Sequence, residues 1–131
     1  MSWKLNDKEY QAVLDLPGPD RYSYTIKKIA DQEEVWSLWA EGGWVLASDD
    51  EGRELVPIWP HSKFASACAK DEWDGCEPRP IDLASWTSKW VLGIARDQRK
   101  IAVFPTPNDK GVVVSPERFS EDLDTETSLY E

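Results

Sequence analysis

Residues 35–59 read VWSLWAEGGWVLASDDEGRELVPIW, and here helical spacing of apolar side chains gives way to short runs of β-branched and aromatic residues. VWSLW, WVLAS and RELVPIW are strand-like, while EGG and DDEG are turn-like, so the segment predicts three strands joined by two hairpins. Such turns require backbone at positive φ, which glycine reaches without a Cβ clash, and Gly43 and Gly52 are the expected turn residues.

Upstream the pattern is helical. Asn6 is a candidate cap, Tyr10, Val13 and Leu14 share a helical face, and Pro17 stops the run. A second helix is expected from Asp20, with Tyr22, Ile26 and Ile29 on its apolar stripe. Downstream, Pro60 suits a first helical position, and Phe64, Ala67 and Cys68 supply an apolar face. WDGCEPRP, with Gly75, Pro78 and Pro80, reads as irregular. Asp82 then caps a longer helix bearing Trp86, Trp90 and Ile94 at four-residue steps. IAVFP and GVVVS are strand-like around TPNDK, and Ser115 with Pro116 opens a last helix carrying Phe119 and Leu123.

About five strands and about five helices in mixed order predict an α+β fold: a mostly antiparallel sheet with helices packed on at least one face. The chain of 131 residues is expected to form a single compact domain. From Glu121 onward the segment carries acids and no base, so residues 124–131 are expected to fray as an acidic tail.

The 25 acidic and 15 basic residues give a net charge of −10, which repels nucleic acid backbones and anionic lipid surfaces. Neither nucleic acid nor membrane is therefore an expected partner. MSWKLNDKEY at the start lacks the apolar core of a signal peptide, and the expected location is the cytoplasm. Cys68 and Cys76 stand eight residues apart, which is no CxxC pair, and one histidine cannot complete the usual Cys/His zinc sets. The DDEG run lacks the alternating ligand spacing of a calcium loop. No phosphate-binding glycine motif occurs, so no metal and no cofactor is expected.

His61 is the only imidazole, so a histidine-based acid or base would have to use it. A small hydrolase using His61, with Arg21 holding an anion, is one alternative, although no GxSxG elbow exposes Ser62 and no catalytic residue is assigned. The eight tryptophans are more telling, because each carries a large apolar area and a donor that needs a partner when buried. Trp36, Trp86 and Trp90 follow core periodicities, whereas Trp3, Trp39, Trp44, Trp59 and Trp73 fall near element ends, where a ring can line a groove.

DRYSYTIKKIAD, VPIWPHSKFASACA, PRPIDL and VFPTPNDKGVVVSPERF, in that order, make the chain resemble the bacterial family called domain of unknown function 2750, over roughly Tyr10 to Leu123. The resemblance implies no activity, cofactor or substrate. Its recurrent pattern falls on Arg21, Tyr22 and Tyr24, on Pro57, Trp59, Pro60 and Ala65, on Ile81 and Leu83, and on Phe104, Pro105, Thr106 and Gly111.

Together these features point to a non-catalytic protein-interaction or regulatory module whose protein partner meets an aromatic-lined surface around Trp59 and Trp44. Arg21, Trp44, Trp59, His61 and Thr106 are the candidate ligand- or partner-binding residues. An immunity-type acidic inhibitor steered onto a basic toxin is a further alternative.

Overall fold

The computed structural model describes residues 4–130; Trp3, one of the tryptophans expected near an element end, lies outside them. In chain order the elements are α1 (Asp7–Leu14), α2 (Gly18–Gln32), β1 (Glu34–Ala40), β2 (Gly43–Trp44), β3 (Ala47–Ser48), β4 (Glu54–Ile58) and α3 (Ser62–Ala67). There follow β5 (Glu77–Asp82), α4 (Leu83–Ser85), α5 (Val91–Arg96), β6 (Lys100–Val103), β7 (Val112–Val114) and α6 (Pro116–Thr127).

Local chemistry sets the helix ends. The Asn6 side chain accepts the Glu9 N–H at 2.8 Å, Asp82 accepts that of Ser85 at 3.0 Å, and Ser115 accepts that of Arg118 at 3.1 Å. α2 begins at Gly18, earlier than the expected Asp20, because Pro19 is accommodated in its first turn. α3 begins at Ser62, so Pro60 precedes the helix instead of opening it. Between α4 and α5 the helix widens into a π-turn over Trp86–Trp90, closed by the Val91 N–H donating to the Trp86 carbonyl. The acidic segment begins inside α6 and continues into a 3-10 turn at Ser128–Tyr130.

The fold is α+β, but the expected single sheet is instead two sheets, of three strands in the order β2-β1-β5 and four in the order β3-β4-β6-β7. WVLAS divides between them. Val45 is buried and Leu46 packs against the core; an extended strand would turn one of these neighbours outward, so the chain bends to bring both inward and changes sheets. EPRPID is a strand despite its prolines, because β5 is an edge strand paired only with β1, where a missing N–H can face away from the ladder. β4 and β6 run parallel, which the long crossover through α3, β5 and the α4–α5 helix permits. The first hairpin places Gly42, not Gly43, at positive φ (+87°), while Gly52 occupies such a position (+80°) as expected.

The two sheets meet where Trp36 and Trp59 exchange backbone hydrogen bonds, each 2.9 Å, and the Ser37 hydroxyl donates to the Pro57 carbonyl at 2.7 Å. Behind this seam lies the core, where Phe64, Phe104, Phe119, Trp59 and Trp86 are fully buried.

Candidate functional site

Between β6 and β7 the chain reads FPTPNDKG, residues 104–111, and its backbone is irregular. Phe104 takes a positive φ of +56°, a conformation that disfavours bulky side chains, and its N–H donates to the Ile58 carbonyl at 2.8 Å. Thr106 and Asp109 exchange backbone hydrogen bonds of 2.8 and 3.2 Å, which closes a tight turn. Gly111 ends the loop at φ +85°, and a Cβ there would meet the Val103 carbonyl oxygen at 2.7 Å.

Three interior side chains hold this exposed loop from below. Arg21, on α2 and only 3% exposed, donates from Nη1 to the Leu16 carbonyl at 2.6 Å and from Nε to the Phe104 carbonyl at 3.3 Å. Its Nη2 reaches the Asp109 carboxylate at 2.5 Å, and the guanidinium carbon lies 5.7 Å from the Phe104 ring centroid. The Trp59 indole N–H donates to the Pro105 carbonyl at 2.8 Å, and the Cys68 thiol donates to the same oxygen at 3.2 Å. Arg21 beside Asp109 holds that carboxyl below the usual carboxylate range. Burial pushes the Cys68 thiol up to about 11, so it is a neutral donor at ordinary pH. At the loop's outer end Lys110 pairs with Asp50 of the β3–β4 hairpin.

Beside the loop lies a hollow of about 240 Å³, bounded by Thr106, Pro107 and the 3-10 turn Asp71–Trp73. Trp73 forms its aromatic wall and meets the buried Trp59 ring edge-on, with centroids 6.2 Å apart. Lys70, Asp71 and Glu72 contribute charges of both signs.

Of the five candidate residues, then, Arg21, Trp59 and Thr106 converge on one loop, and Thr106 alone among them lines the hollow. Trp59 is not at the rim. It is 0% exposed, because its backbone joins the two sheets and its ring fills the space beneath the loop. A joint surface of Trp59 and Trp44 is thereby replaced by two separate features. Trp44 lines a different groove with Trp90. His61, 6% exposed, caps α3, with Nδ1 accepting the Lys63 N–H at 3.1 Å and its ring edge-on to Phe64. It therefore belongs to another element, while the Arg21 donors are spent on Leu16, Phe104 and Asp109. Among the described residues no group of three or more His, Cys, Asp and Glu side chains is placed to hold a metal ion.

Sequence reasoning missed Asp109 and Cys68 as loop supports. PNDKG resembles any polar turn, and nothing local shows that a guanidinium from α2, 88 residues away in the chain, ends on it.

The family model described as "Protein of unknown function (DUF2750)" matches residues 22–123. No curated protein and no solved structure matches the chain.

Proposed function

The chain belongs to the DUF2750 family, and on that footing we propose that it is a non-catalytic interaction module whose protein partner engages the Thr106–Lys110 loop and the Trp73-walled hollow beside it. One observation carries this reading. A buried arginine, a buried tryptophan and a buried thiol all direct donors at the carbonyls of Phe104 and Pro105, the buried base from which the exposed Pro107–Lys110 tip projects. Such support removes conformational freedom before a partner arrives, so less ordering entropy opposes association. It also leaves the tip residues Pro107 and Asn108 exposed on a fixed base. Trp73 retains partial exposure next to that base, and an aromatic ring set in a half-open hollow is a common interface anchor.

The test is site-specific photocrosslinking in the host cell, with a photoreactive residue at Asn108 and, as control, at the exposed Lys8 of α1. The expected result is a discrete protein adduct from position 108 that is absent from position 8 and disappears with Trp73→Ala. Folding of each variant is checked by thermal unfolding. Equal adducts at both positions, or no adduct at position 108, would refute the reading.

A further inference from the structure

The outer edge of β3 borders the hollow, for Ala47 and Ser48 line it together with Trp73 and Thr106. In the β3–β4 pair Ala47 stands opposite Leu55 and Ser48 opposite Glu54, and the Asp49 N–H donates to the Arg53 carbonyl at 3.0 Å. Backbone groups alternate in direction along an antiparallel strand, so those of Ala47 and Asp49 turn toward β4 and those of Ser48 turn away from it. No strand of the sheet lies on that side. Leu46 is unspent as well: neither its N–H nor its C=O is hydrogen-bonded among the described residues. The ladder stops there for a local reason. Extending the register would set Val45 against Pro57, which has no N–H to give, and Val45 donates instead to Leu38 of the other sheet at 3.1 Å.

Two other outer strands are less open. Trp36 exchanges its backbone bonds with Trp59, so Val35, Ser37 and Trp39 face β5 at Ile81, Arg79 and Glu77. The outward positions of β5 therefore fall on Pro78 and Pro80, which can donate nothing to a further strand. On the far side of the other sheet, the Phe104 N–H bonds Ile58, so Ile101 and Val103 face β7 at Val114 and Val112, and Val113 points outward. The positions flanking Val113 are partly spent: the Gly111 N–H donates to Asp109 at 3.2 Å, and the Ser115 carbonyl accepts the Phe119 N–H at 3.0 Å. At β3, by contrast, both donors and both acceptors of Leu46 and Ser48 remain.

We infer that β3 is the acceptor for an added strand: a segment of the partner protein lies along Leu46 and Ser48 in extended form and exchanges backbone hydrogen bonds with them. The assignment rests on the interaction role proposed for the Thr106–Lys110 loop, and it gives the conformation of what binds there. Unpaired N–H and C=O groups along a strand edge are matched by the same groups on an extended chain, whereas a helix has already spent its own. Side-chain alternation then decides what enters the hollow. The partner residue paired with Ser48 shares the face of Ser48 and Glu54, and its neighbour stands beside Ala47, on the face that carries the buried Leu55. That neighbour enters the hollow against Trp73, and with Leu55 and Pro105 also lining it, the inserted side chain is apolar. A second copy of the chain is the poorer occupant, because each molecule carries a charge of −10 and the two would repel.

The probe is a displayed library of short randomised peptides panned against the intact chain. The tightest binder is resynthesised with a single N-methyl group at each position in turn, and each version is titrated calorimetrically. Removing an N–H that bonds β3 should weaken binding about tenfold, and such losses should fall on alternate positions with little change between them. On the protein, Ser48→Pro deletes an N–H that the β3–β4 ladder does not use and should weaken binding about tenfold, while Ser48→Ala, which keeps that N–H, should not. The N-methyl scan leaves the protein unaltered, so it decides the question even where Ser48→Pro disturbs the fold. Losses without a period of two, a binder indifferent to Ser48→Pro in a folded variant, or no enrichment would overturn strand addition. So would concentration-dependent self-association in sedimentation that Ser48→Pro abolishes, since the occupant would then be a second copy. A peptide that loses affinity on Trp73→Ala but not on Ser48→Pro would sink strand addition alone, whereas the interaction role stands or falls on the Asn108 adduct.

Discussion

Replacing Arg21 by methionine keeps most of the aliphatic stem and removes the three-way guanidinium contact. Two backbone carbonyls, of Leu16 and Phe104, lose charged donors at 2.6 and 3.3 Å. A hydrogen bond to a charged group is worth about 1.5–3 kcal/mol, and the longer contact belongs at or below the lower end, so the two together cost roughly 3–4 kcal/mol. The Asp109 carboxylate is 46% exposed, so losing that ion pair adds no more than about 1 kcal/mol after solvent screening. The expected total is about 4 kcal/mol, which for a chain of this size lowers the thermal midpoint by roughly 15 °C. Asp109→Asn, which leaves both carbonyl contacts in place, should cost only about 1 kcal/mol. Urea unfolding of the wild type and the two variants gives the comparison directly. Equal costs for the two substitutions, or a loss below about 1.5 kcal/mol for Arg21→Met, would refute the claim that Arg21 works chiefly through the Leu16 and Phe104 carbonyls and only secondarily through Asp109.

Other consequences follow from the same geometry. Gly111→Ala places a Cβ 2.7 Å from the Val103 oxygen at φ +85° and should cost more than about 2 kcal/mol. Gly52→Ala, at φ +80° with nothing within 4 Å, should cost only the conformational penalty of about 1–2 kcal/mol, and parallel denaturation curves test the ordering. Asp109 titrates below its unfolded value because Arg21 stabilises the carboxylate, so its contribution is present above about pH 4 and is lost as pH falls through the folded value. Amide resonances of Thr106 and of residues 108–111 should therefore shift in acid ahead of global unfolding, and Asp109→Asn should remove that early phase. Cys68 is buried with its thiol pushed up to about 11, whereas Cys76 is half-buried, so a thiol reagent at pH 8 should label Cys76 in the native chain and both only after denaturation. Rapid labelling of both in the native state would contradict the buried Cys68–Pro105 contact.

Local signals were readable where local chemistry sets the outcome. Asn6, Asp82 and Ser115 cap the helices they precede, because a short polar side chain competes for the first free N–H groups whatever the rest of the fold does. Phe119 and Leu123 are buried at their helical spacing. WVLAS defeats the same logic: its β propensity is real, but with Val45 buried and Leu46 packed against the core the chain bends between sheets. The two prolines of EPRPID look like strand breakers until the strand is known to be an edge, a fact of topology. Trp59 lies beneath the loop and not at its rim for a similar reason. Its neighbours in sequence, Pro60 and His61, suggest an element boundary, whereas its depth comes from Trp36, Pro105 and Trp73 arriving from elsewhere in the chain. Arg21, Trp59 and Thr106 meet at one loop through contacts spanning up to 88 residues. No pattern within a window of ten or twenty residues reports those.

The central claim is that the 104–111 loop is rigid before any partner binds. Backbone ¹⁵N relaxation of the free protein at Thr106, Asn108, Asp109 and Lys110 measures this directly. Order parameters of about 0.85, matching the buried strand β6, are predicted. Values below about 0.6 at those amides, with β6 still rigid, would contradict it.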